Sequence, residues 1–97
     1  MKVEFTNQAI ADLHKISSVS QAAFGGAVAR QLESRIRAVI AHIADRPNIA
    51  PQVIGRPGMH VFPLVRYPYK IFYRLLPDRV RIVHIRHTAR RPWMGER

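Results

Sequence analysis

The chain has 97 residues, room for one domain over residues 1–97 with a single core. Its 47% apolar content excludes a disordered tail or a coiled coil, and the lack of cysteine excludes disulfides, thiolate zinc sites and cysteine nucleophiles. Sixteen Lys and Arg against six Asp and Glu leave a formal charge of +10, most of it in residues 66–97, where nine basic and two acidic side chains give +7. A field of that sign draws polyanions: nucleic acid, a ribonucleoprotein or an acidic protein segment. No run reaches the roughly 18 apolar residues of a membrane span. Residues 1–6 lack the apolar segment of a signal peptide, so the expected location is the cytoplasm.

Lys2-Val3-Glu4-Phe5-Thr6 alternates polar and apolar residues, as a half-buried strand does. Thr6 or Asn7 then caps a helix whose apolar positions are Ile10, Leu13 and Ile16, and the Ser17-Ser18 and Ser20 cluster is expected to end it. A second helix reads from Phe24, Val28, Leu32, Ile36, Val39 or Ile40, and Ile43, a stripe at steps of three and four. Gly25-Gly26 costs that helix roughly 1 kcal/mol per glycine. The pair either permits close helix packing or marks a later start. Asp45-Arg46-Pro47 ends the helix, because the residue before proline disfavours helical geometry. Residues 46–58 read as a loop. Three strands follow, His60–Arg66, Tyr69–Leu76 and Arg79–His87, the last two joined by a Pro77-Asp78 hairpin connection. Pro63 and Pro68 suit an edge strand.

Strand periodicity assigns the faces. Ile71, Tyr73, Val83 and Ile85 are expected to face the helices. Lys70, Arg74, His84 and Arg86 then gather around Phe72 on the opposite face, the composition of a surface that grips phosphates or stacks a base. A one-residue slip inverts this assignment. The expected class is α+β, in the order β-α-α-β-β-β, with a mostly antiparallel sheet packed on an N-terminal helical hairpin. The five histidines show no ligand spacing with carboxylates, so neither metal nor cofactor is expected.

The stretch Tyr67-Pro68-Tyr69-Lys70-Ile71-Phe72-Tyr73-Arg74, followed by Val80 to His87 and then Thr88-Ala89-Arg90-Arg91-Pro92, is similar to the RelE/ParE toxin superfamily. The early helix with Ala9 and Asp12-Leu13, the long second helix and the Pro47 loop keep the same order, so the likeness runs through residues 2–93. His87-Thr88-Ala89-Arg90 resembles that superfamily's His-small-small-Arg ending. The resemblance implies the toxin half of a type II toxin–antitoxin pair, a growth inhibitor of the plasmid-stabilising kind. It also implies a cognate antitoxin that wraps an acidic segment over the toxin, ribbon-helix-helix and ParD-like, in a hetero-oligomer.

The resemblance divides at the target. ParE-like members poison DNA gyrase; RelE-like members cut mRNA on the ribosome. For cleavage, Lys70, Arg74 and Arg90 are the candidate cations around the phosphorane, and His84 the candidate acid or base. For target or antitoxin binding the candidates are Phe72, Arg86, His87, Arg91 and Trp93, a tryptophan being a frequent interface anchor. Ribonuclease members commonly carry a C-terminal Tyr or His, and this tail offers only Trp93. The expected mode is therefore ParE-like gyrase binding. The alternatives are a RelE-like ribonuclease and an inactive basic nucleic-acid-binding module.

Overall fold

The structure is a computed structural model and describes residues 1–88. These residues form strand β1 (Lys2–Phe5), helices α1 (Asn7–Phe24) and α2 (Gly26–Asp45), and strands β2 (Met59–Pro63), β3 (Tyr69–Leu75) and β4 (Arg79–His87). The strands make one mixed sheet in the order β1-β4-β3-β2, with β1 parallel to β4 and the other pairs antiparallel. This is the expected α+β order. The helical hairpin packs on one face of the sheet, around Leu32, Ile36, Val39, Ile40 and Ile43 of α2 and Ile71, Tyr73, Val80, Ile82 and Ile85 of the sheet.

Thr6 starts α1 from an extended backbone (φ −70°, ψ 161°), its hydroxyl accepting from the Ala9 amide at 3.1 Å. The first helix does not stop at the serines but runs to Phe24. A serine costs a helix only some tenths of a kcal/mol relative to alanine. Ser20, 4% exposed, shares the inner side of α1 with Ala9 and Ile16, so within the cluster Ser20 continues the buried stripe.

The break comes at Gly25, whose φ of +89° is disfavoured for any side chain with a Cβ. Its amide donates to the Gln21 carbonyl at 3.0 Å to close α1, and α2 begins at Gly26. Of the two readings of Gly25-Gly26, the later start is therefore the one observed. Phe24 then belongs to the end of α1 and is 71% exposed; the buried stripe of α2 begins at Ala29, not at Phe24 and Val28.

Strand β2 is shorter than expected at its far end. Pro63 has no amide for a ladder, and Arg66 adopts φ +76°, which no strand accommodates. The β3–β4 hairpin turns at Pro77-Asp78, with the Leu76 amide donating to the Arg79 carbonyl at 2.8 Å.

Candidate functional site

The face of the sheet turned away from the helices carries the expected cations, with one change of phase. A β-bulge shifts the register of β4: Phe72 pairs with His84 and the next residue, Tyr73, pairs with Ile82. The residue left over is Val83, which turns to the outer face, against Phe72 and Met59. The assignment of Val83 to the helix face is thus corrected, because a bulge inserts one residue and reverses the alternation before it. The same reversal places Arg81 opposite Arg74 on the outer face and sends Val80 and Ile82 into the main core.

Lys70 lies directly across from Arg86, and Arg74 from Arg81. Glu4, the cross-strand partner of Arg81 from β1, answers two of the cations, at 2.8 Å from Arg81 and 2.9 Å from Arg79. Lys70 and Arg74 have no carboxylate partner among the described residues; Arg74 Nη1 donates to the Pro57 carbonyl at 3.3 Å. Arg86 is only 9% exposed. Phe72, although on the expected face, is 8% exposed, because the segment before β2 folds against it and brings Val53 onto Met59 and Val83. The aromatic thus sits inside a small second core, not open for stacking. His87 belongs to the other face, edge-on to Tyr69 with ring centroids 5.2 Å apart. Arg90, Arg91 and Trp93 lie outside the described residues.

The outer edge of β4 is where helix and sheet chemistry meet. The β1 ladder carries one residue past the strand, the Thr6 amide donating to the Ile82 carbonyl at 3.0 Å. The Thr6 hydroxyl donates to the Val83 carbonyl at 2.7 Å. Asp12, from α1, then takes over. Its Oδ2 accepts from the Ile85 amide at 2.9 Å and lies 2.6 Å from His84 Nδ1. An ionised carboxylate has only acceptors, so the proton on this side of the imidazole belongs to Nδ1. Both side chains are largely covered, at 16% (His84) and 12% (Asp12). The His84 ring also stacks near Phe72, with centroids 6.2 Å apart.

The matched family profile is that of the ParE toxin of the type II toxin–antitoxin system parDE, and it covers residues 3–92. This chain belongs to the ParE toxin family. No curated protein matches it significantly. Among solved structures, the chromosomal ParDE system of P. aeruginosa superposes with a TM-score of 0.79 at 23% identity, covering 90% of this chain and 95% of that one. The isolated E. coli RelE toxin superposes with a TM-score of 0.65 at 16% identity, covering 93% of this chain and 86% of that one. A chain of the intact E. coli RelBE toxin-antitoxin complex superposes with a TM-score of 0.64 at 18% identity, covering 93% of this chain and 98% of that one. At these identities the likeness is one of fold.

For a ParE-family toxin the arrangement offers two chemistries. Lys70 and Arg74 present charge for a polyanion, whereas Asp12–His84 has the form of an oriented acid–base pair. Sequence reasoning singled out His84 but missed Asp12. The signal was there: Asp12 falls three residues after Ala9 and four before Ile16, both buried, so the carboxylate lies on the inner stripe of α1. Asp12 also has a plainly structural task, closing the β4 edge where β1 ends. His60 is structural too, 5% exposed, stacked on Tyr73 and 2.8 Å from the Ala50 carbonyl through Nδ1.

Proposed function

We propose that this toxin arrests growth by binding DNA gyrase in the cytoplasm. Its antitoxin would be ParD-like, with a ribbon-helix-helix part and an acidic segment that covers the basic sheet in a hetero-oligomer. The match to the ParE profile over residues 3–92 supports this reading most. The site agrees with it in one respect: Phe72 is packed away and Arg86 is largely buried, which leaves a face better suited to docking than to gripping a base. Inducing the chain in a bacterium separates the targets. Gyrase poisoning raises the DNA-damage response while transcripts stay intact. Cleavage of mRNA at ribosome-bound codons without that response contradicts it.

One observation favours a second reading, a RelE-like ribosome-dependent ribonuclease. Asp12 holds His84 in one tautomer beside Lys70 and Arg74, and His84 would exchange protons while Lys70, Arg74 and Arg90 stabilise the phosphorane. Under this reading His84→Asn abolishes RNA cleavage. Under the gyrase reading His84→Asn leaves growth arrest unchanged.

A further inference from the structure

On the helical side of the molecule, away from the basic sheet face, an open cavity of about 770 Å³ lies between the outer flank of α2 and the β2–β3 connection. Arg30, Gln31, Ser34 and Arg35 line it from the helix, and Arg66 and Tyr67 from the connection. The helix residues fall at i, i+1, i+4 and i+5, one continuous flank beside the buried stripe. The neighbouring carboxylate of α2, Glu33, points elsewhere and pairs with Arg37 one turn on. No carboxylate lines the cavity.

The charge is uncompensated. Arg37, Arg79 and Arg81 each have a glutamate. Among the described residues Arg30, Arg35 and Arg66 have no ion-pair or side-chain hydrogen-bond partner. Three guanidinium groups around one cavity carry like charge that no described carboxylate offsets. Arg66 adds a second cost. It is the one non-glycine among the described residues with a positive φ, +76°, a conformation that disfavours an L-residue by about 1–2 kcal/mol. Beside it Val65 is 64% exposed, an apolar ledge next to the cations.

We propose that this groove binds the phosphodiester backbone of a single-stranded nucleic acid. Arginine forks match phosphate oxygens, with the Ser34 hydroxyl and the Gln31 amide as further donors. Arg30 and Arg35 are about 7.5 Å apart along the helix axis, a reach suited to successive phosphates of an extended strand. Val65 and Tyr67 offer surface to a sugar or base. An extended acidic peptide fits less well, because the groove is walled by a helix and a loop and offers no strand edge to extend. The proposal does not depend on which target the toxin attacks.

The test measures anisotropy of a labelled single-stranded oligothymidine, roughly a dozen nucleotides long, across a salt series. Arg30→Gln with Arg35→Gln is expected to weaken binding about tenfold or more and to flatten the slope of log K against log salt by ~0.7 for each phosphate no longer neutralised. Arg66→Gly is expected to weaken binding while the melting temperature holds or rises, since glycine takes the positive φ without strain. The comparison variant, Lys15→Gln with Arg46→Gln, removes the same charge away from the groove and is expected to cost less than about threefold, by weakening of the general field only. Equal losses in the groove and comparison variants overturn the proposal. So does unaltered binding in folded Arg66→Gly and Arg30→Gln/Arg35→Gln proteins. Tighter groove-dependent binding of a polyglutamate peptide than of the oligonucleotide overturns it in favour of a peptide.

Discussion

Removing the Asp12 carboxylate takes Oδ2 away from two largely covered donors, the Ile85 amide and His84 Nδ1, and Oδ1 away from the exposed Gln8 amide. A buried donor without a partner costs about 1–3 kcal/mol. Asp12→Ala is therefore expected to lower stability by about that much in urea unfolding, and Asp12→Asn by less, because the amide oxygen still accepts from Ile85. In a double-mutant cycle with His84→Ala the two effects should be less than additive, since both residues take part in one hydrogen bond. Full additivity would show that the pair is not coupled.

Tyr73 gives a pH-dependent prediction. Burial pushes its phenol above the ordinary value of 10, while a backbone hydrogen bond from Ala50 pulls partway back. A raised folded-state pKa means that the neutral phenol is the form the fold favours. Its contribution is fully present below about pH 10, and it is lost as the pH rises from there through the higher folded value. Tyr73→Phe should lose the hydrogen bond to the Pro47 carbonyl, at 2.8 Å, and about 0.5–1.5 kcal/mol at neutral pH. The variant should then fall less steeply than the parent as the pH rises above about 10. An identical alkaline decline in both would mean that Tyr73 does not titrate against the fold.

At the scale of elements, the two adjacent glycines make opposite predictions. Gly25 sits at φ +89° with open space around it, so Gly25→Ala meets no clash yet carries a backbone strain of about 1 kcal/mol or more. Gly26 starts α2, and a Cβ there would come within 3.1 Å of the flexible tip of Arg30. That tip can move, so Gly26→Ala is expected to be neutral or to stabilise by up to about 1 kcal/mol. Thermal melts of the two variants decide it. A larger loss for Gly26→Ala would place the helix break elsewhere.

The elements also show what the sequence could and could not disclose. The last strand was legible to its ends, Arg79 to His87, because alternation and the Pro77-Asp78 turn bound it on known physical grounds. The phase of that strand was not, since a bulge at Val83 leaves no mark in composition; it moved Val83 out and brought Arg81 to the basic face. The serines of α1 misled because small polar residues suit caps and turns, yet the same smallness lets Ser20 be buried within α1. The parallel pairing of β1 with β4 joins segments separated by most of the chain, beyond any local pattern.

At the scale of the molecule, the two layers divide the charge. One side is a sheet with Lys70 and Arg74 beside a small apolar core built from Phe72, Met59 and Val83; the other is a helical hairpin whose α2 flank carries Arg30 and Arg35. The outer β4 edge is closed by β1, Thr6 and Asp12 in succession as far as Ile85. Composition foretold a polyanion-seeking field but not this partition, which requires knowing which residues the fold leaves outside. Such a field speeds encounters with polyanions at low salt.

The most direct test of a ParE-like mode of action is supercoiling by purified DNA gyrase in the presence of the purified chain, run beside translation of a defined mRNA. Supercoiling should be inhibited and broken DNA should accumulate, with the mRNA left whole, and the inhibition should disappear when the cognate antitoxin is added. Normal supercoiling at toxin concentrations that cut the ribosome-bound message would contradict a ParE-like mode.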